Sequence, residues 1–410
     1  MRTLLLALAA LTLVTTAVAQ TPPPVDTKAL LAANTRPFTY ADGKLAGPGA
    51  DFLFRQLEDS QFLFLGESHH DHEVPVFAGA LYARLRGDIG YRYLAVEQDP
   101  VAIEAVNSYR GDLDKIVALA KRYPTHIGFS SDQDLAFLAQ ASKSARPGDP
   151  TVWGLEQAQG VAPYLEELLP LAPDAATRAT AQALLEEVRI KETRAHQGAF
   201  IHDDATTLPR LTALQAAYGA KPGSRADVLL TGLVTTARIY SYNRRANAGE
   251  RVGLYNNTER EALFKTTFMG HYRQVARGKD LPKVMFKFGS WHGYRGRSPG
   301  GAFTIANFAH EFAISNGKEA YGIVVVPTGG YEADVTEEGP WMKALFPDGP
   351  PQQPVILDLR AIQPWSRVFA NQVPADQQAA LRDYIFAHDA VVVLPGSAKA
   401  TWDLTGFPVP

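Results

Sequence analysis

Residues Phe62 to Glu73 read FLFLGESHHDHE, which places the carboxylate of Glu67 and three imidazoles directly behind an apolar run and a glycine. Glu67 and His70 stand three apart in this tight stretch. Histidine is the side chain best matched to proton transfer near neutral pH, and a neighbouring carboxylate orients its ring and stabilises its charged form. A packed core does not collect Glu and His so densely, because buried charge without partners is costly. The segment therefore reads as a polar site at the mouth of a buried sheet.

Three further places repeat the pattern of a short β-rich run ending in a reactive residue. Tyr91–Val96 leads into Glu97, Thr151–Leu155 into Glu156, and Lys283–Phe288 into Gly289-Ser290-Trp291-His292. Glu97 is expected beside Glu67, where two close carboxylates shift each other's pKa or bind a cation. The glycines around His292 permit close approach of backbone to a ligand. Arg260 and Glu261 follow Asn256-Asn257-Thr258, so Thr258 could cap a helix with Glu261 as its capping-box partner. His69, His70, His72, Glu97 and His292 together supply enough nitrogen and oxygen donors for Zn²⁺, Mn²⁺ or Fe. No HExxH helix is present, and the loop spacing is not a recognised zinc signature, so metal-free and metal-assisted chemistry both stay open. His271 and His310 read as packing or surface residues; His126, His196, His202 and His388 have no evident companions. Ser68 lacks a GxSxG elbow, no GxxxxGK[ST] phosphate loop occurs, and without cysteine there is no thiol chemistry and no disulfide.

Elements that could position these residues follow from periodicity. Further β-rich runs lie at Tyr321–Val326, Val355–Leu357 and Asp389–Leu394, and helical spacing at Val74–Arg86, Val101–Ala105 and Asp134–Ser142. Alternating strands and helices predict an α/β fold with a mainly parallel sheet flanked by helices. Ligands in such sheets sit at the carboxyl ends of the strands, so the four reactive residues should converge on one edge. The Ala/Leu/Glu-rich stretch predicts a helical insertion or cap over residues 158–278, between α/β blocks 20–157 and 279–410.

The N-terminus predicts export. Arg2, the apolar Leu4–Val14 and the small-x-small Ala17-Val18-Ala19 form a signal peptide, residues 1–19, cleaved near Ala19. The apolar part is too short to span a bilayer, so no membrane anchor should remain and the product should be periplasmic or secreted. Forty basic and 43 acidic residues give a formal net charge of −3, which offers no electrostatic case for nucleic acid. A small-molecule substrate is the expected partner; the oligomeric state is not legible.

With these residues in view, the chain resembles the erythromycin esterase-like family and, more distantly, the wider group of TraB/TIKI-type and ChaN-like proteins. The resemblance rests on Gly66-Glu67-Ser68-His69-His70, on Glu97, on Arg260-Glu261, and on His292 in FKFGSWHG, from about residue 60 to 295. It implies a hydrolase acting on an ester or lactone, with His70 as general base on water, no required cofactor, and Glu67, Glu97, His292, Arg260 and Glu261 around it. The TIKI-type branch implies a divalent metal and the ChaN-like branch haem, so the alternative is a metal- or haem-binding periplasmic protein. Asp71 departs from the family's glycine at that position, and His69 and His72 are additions.

Overall fold

A computed structural model describes residues 25–192, 198–252, 255–278, 280–329 and 339–406; the expected signal peptide and His196 lie outside these. Eight strands form one sheet: β1 Thr35–Pro37, β2 Ser60–Glu67, β3 Tyr91–Val96, β4 Val152–Gly154, β5 Lys283–Gly289, β6 Glu319–Thr328, β7 Val355–Asp358 and β8 Ala390–Pro395. Their spatial order is β1-β7-β8-β6-β2-β5-β3-β4. Five of the seven strand pairings are parallel, so the expected α/β architecture is the observed one.

The antiparallel part was not foreseen. β7 runs against β8, and β1 against β7. A three-residue run such as Val355–Leu357 carries no information on direction. β1 is short and ends in Pro37, which has no N–H for a ladder and is tolerated at an edge.

β2 lies at the centre, and all eight of its residues are buried. Its alternate side chains serve two cores. Leu63 and Leu65 pack with the helices Glu73–Asp88 and Asp132–Ser142 on one face. Phe62 and Phe64 join Phe286, Phe268 and the helices Tyr255–Val275 and Ile305–Ser315 on the other. A run apolar on both faces is what a parallel sheet covered by helices requires.

The segment expected as a helical insertion divides by its packing. Helices Val161–Leu168, Ala175–Lys191, Thr207–Tyr218 and Arg225–Asn247 share a core of their own, with Leu165, Leu185, Leu211 and Leu230 at its centre. Helix Tyr255–Val275 instead lays Phe264, Phe268 and Tyr272 on the sheet. Among the described residues no helix is long and apolar enough to cross a membrane.

Candidate active site

The carboxyl ends of β2, β5, β3 and β4 are neighbours and end level with one another: Glu67 stands opposite Gly289, and Val96 opposite both Lys287 and Gly154. Strands spaced about 4.8 Å apart put residues from all four within reach of one another. Glu67, Glu97 and Glu156 are each buried there.

Glu67 is held by Lys287, a cation outside the residues predicted for the site. Lys287, on β5, donates to Glu67 Oε1 at 2.8 Å and to Asp134 Oδ1 at 3.0 Å. All three side chains are at most 9% exposed. Burial alone would raise the Glu67 pKa, but Lys287 and the adjacent His69 outweigh it and hold the carboxyl below its ordinary value. Lys287 interrupts the apolar residues of Lys283–Phe288, and a charge inside such a run was the available signal.

Glu97 collects cations from the opposite side. Arg260 Nη2 donates to its Oε1 at 2.7 Å, the Gly289 N–H to its Oε2 at 2.7 Å, and His292 Nε2 lies 3.4 Å away. Burial raises the Glu97 pKa, yet the charges of His292, Arg260 and His69 drive it well below the usual carboxylate range. Arg260 bridges on to Glu156, with its Nε 3.0 Å from Oε1 and a second, shorter contact to Oε2. Glu156 is thus a member of the cluster, as its place after β4 suggested.

Glu261 is not the capping-box partner of Thr258. The helix already covers Tyr255–Val275, so Thr258 lies within it. Glu261 is 3% exposed and points inward, where its Oε1 lies 2.5 Å from His292 Nδ1 and its Oε2 accepts the Ile305 N–H at 2.6 Å. His292 therefore sits between Glu261 and Glu97. Burial opposes its charge, but the two carboxylates win and raise its pKa to about 9. As an imidazolium it directs Nε2–H to Glu97. Its 3.2 Å approach to Arg260 is then a contact of like charges, tolerated because both share Glu97.

His69 and His70 separate in role. The His69 ring lies with Nδ1 3.3 Å from Glu67 and Nε2 3.8 Å from Glu97. The Glu67 contact is an ion pair without hydrogen-bond geometry. Burial works against its charge, but these carboxylates raise its pKa. Phe129 stacks flat on the ring at 3.9 Å and 14°. Gln98 holds the Phe129 backbone by accepting from Gly128 N at 2.8 Å and donating to Phe129 O at 3.3 Å. His70 stands beside this pair, its ring 6.4 Å from His69 and 5.8 Å from Trp402. Burial and the His69 charge lower its pKa below 6.5, which leaves it neutral and able to accept a proton at neutral pH. Its φ of +63° is left-handed, a conformation that costs a non-glycine residue energy and that clusters at functional sites.

Gly289 makes this arrangement sterically feasible. A Cβ there would lie 2.8 Å from His69 Nε2 and 3.4 Å from Glu97 Oε2. Gly289→Ala is therefore expected to push His69 out from between its carboxylates while the strand still forms. A crystal structure of the variant should show that displacement beside an unchanged sheet.

His72 does not join the cluster: its Nδ1 pairs with Glu73 at 2.8 Å, and its N–H is bound by Ala398 O. The metal set His69, His70, His72, Glu97 and His292 is accordingly not assembled, and no group of three donors suited to a metal occurs among the described residues. The best oxygen donors, Glu67 and Glu97, are already neutralised by Lys287 and Arg260. This donor set does not fit a divalent cation. Of the other histidines, His126 packs against Asp99, His271 lies flat on Trp153, His202 lies tilted against Tyr240, and His388 is buried between Tyr294 and Tyr384.

The whole chain can be set beside solved structures. A Bacillus cereus protein and a succinoglycan biosynthesis protein each match with a TM-score of 0.53 at 12% identity, over 92% of this chain and 99% and 98% of theirs. A mutant of erythromycin esterase EreC in its open conformation matches with a TM-score of 0.54 at 12% identity, over 89% of this chain and 98% of that one. The relationship shown is one of fold. No protein-family model and no curated protein matches the chain.

Proposed function

We propose that the protein is an exported hydrolase that attacks an ester, lactone or similar bond with activated water. The observation that carries this reading is the convergence at one sheet edge of Glu67, Glu97, Glu156, Arg260 and His292, with His70 in the loop that directly follows β2. A base and an electrophilic anchor are the two parts that water attack on a carbonyl needs. The likeness in fold to an erythromycin esterase, together with the Gly66–His70 motif at the end of β2, supports the same class.

In this mechanism the substrate's carbonyl oxygen competes with Glu97 for the Nε2–H of His292 and lies beside the Arg260 guanidinium. His70 takes a proton from water as the water oxygen bonds to the carbonyl carbon, giving a tetrahedral alkoxide whose charge the two cations share. Collapse breaks the bond to the leaving oxygen, which takes the proton back from His70. Glu97 and Glu261 keep His292 charged, and Lys287 keeps Glu67 ionised beside His69.

A second reading assigns the base to His69, because its ring stands between Glu67 and Glu97. Its raised pKa makes it the poorer acceptor at neutral pH. Turnover of aryl esters and of lactones by the purified protein tests the class. Release of acid above the uncatalysed rate is expected, and none with either substrate type would contradict it. Export rests on residues 1–19, and a mature N-terminus at Gln20 in periplasmic or secreted protein would support it.

A further inference from the structure

The open flank of the sheet holds a second recess. A cleft of about 390 Å³ runs along the edge strand β4, walled by Pro100, Ile103, Pro147, Pro150 and Val152. Its lining also includes Arg110 and Arg146, both exposed, and that volume lies within the roughly 300–1,000 Å³ of small-molecule sites. Arg110 ends the helix Pro100–Tyr109 and Arg146 precedes β4, so both stand toward the amino end of the parallel strands, opposite the candidate active site.

Three features set this recess apart. The β4 edge is already closed, since Asn107 donates to Val152 O at 2.8 Å and accepts the Val152 N–H at 3.1 Å. The recess is thus not merely a vacant strand position. Arg110 holds a left-handed φ of +52°, a position that helix ends usually give to glycine. Neighbouring acids are matched while the two arginines are not. Glu104 on the rim pairs with Arg225 at 2.8 Å, and Asp149 is taken by Arg92 and the Tyr93 hydroxyl. Among the described residues neither the Arg110 nor the Arg146 side chain has an ion-pair or hydrogen-bond partner.

We infer that this cleft binds an organic carboxylate with a short apolar body. Guanidinium groups match carboxylates in planar, two-pronged geometry, and the proline, Ile103 and Val152 walls would cover the apolar part. The site is independent of the hydrolase reading and stands or falls separately from it.

Octanoate is the probe, titrated calorimetrically into the full-length protein, with acetate and 1-octanol as controls lacking the body and the charge. Saturable binding of octanoate is expected, with acetate and 1-octanol far weaker. Arg110→Gly suits the left-handed backbone and should leave the circular dichroism spectrum unchanged, so folding does not confuse the result. That variant and Arg146→Gln should each weaken octanoate by about tenfold, the loss expected from one charge-assisted hydrogen bond. Equal binding by the variants, equal binding of 1-octanol, or no saturation by about 10 mM, beyond the millimolar range of weak specific affinity, would overturn the inference.

Discussion

His70→Ala is expected to lower kcat on an ester substrate by about 10²–10⁴-fold, the usual worth of a positioned general base, with the fold intact. The side chain is only partly buried and lies in the loop after β2, so its removal leaves no large core cavity. His69→Ala should lose less, because it removes a charge beside the base rather than the base itself. The opposite ranking in parallel kinetics would give the base to His69 and leave His70 as its neighbour. A His70→Ala enzyme with wild-type kcat would sink the mechanism.

Lys287→Met is expected to be the most damaging substitution to stability. It keeps the length and apolar stem of the side chain but removes the ammonium that two buried carboxylates, Glu67 and Asp134, share. Breaking a buried ion pair from one side typically costs about 3–5 kcal/mol, which is a large part of a domain's net stability. Urea unfolding should show the loss. Restoring stability by Lys287→Met combined with Glu67→Gln and Asp134→Asn would show that uncompensated charge, not lost packing, is responsible; failure of that rescue would refute the charge account.

Much of the site was legible because parallel sheets advertise their strand ends. The runs before Glu67, Glu97, Glu156 and His292 are short, β-rich and mostly apolar, so the polar residues that follow each run mark the same edge of the sheet. What was not legible depends on contacts between elements distant in sequence. Asp134 reaches Lys287 from a helix 153 residues away, and Phe129 reaches His69 from a loop fixed by Gln98. Glu261 was open to a local reading because Thr258 stands three residues before it. Only the position of helix Tyr255–Val275 on the sheet turns its carboxylate toward His292. The choice between His69 and His70 was likewise beyond spacing, since the carboxylates that separate their pKa values come from two strands.

With His70 as a neutral base and His292 as a charged anchor, the pH profile of kcat/KM for ester hydrolysis reads both at once. The acid limb should lie below pH 6.5, where His70 gains a proton, and the alkaline limb near pH 9, where His292 loses its own. The same sign governs stability: the His292 contribution is complete below its unfolded pKa of 6.5 and is lost as pH rises through about 9. Glu97 contributes in the opposite sense, with its share lost as pH falls well below 4.5. A bell with those two limbs is the predicted result. A rate that keeps rising above pH 9, or an acid limb above 6.5, would contradict the assignment of base and anchor.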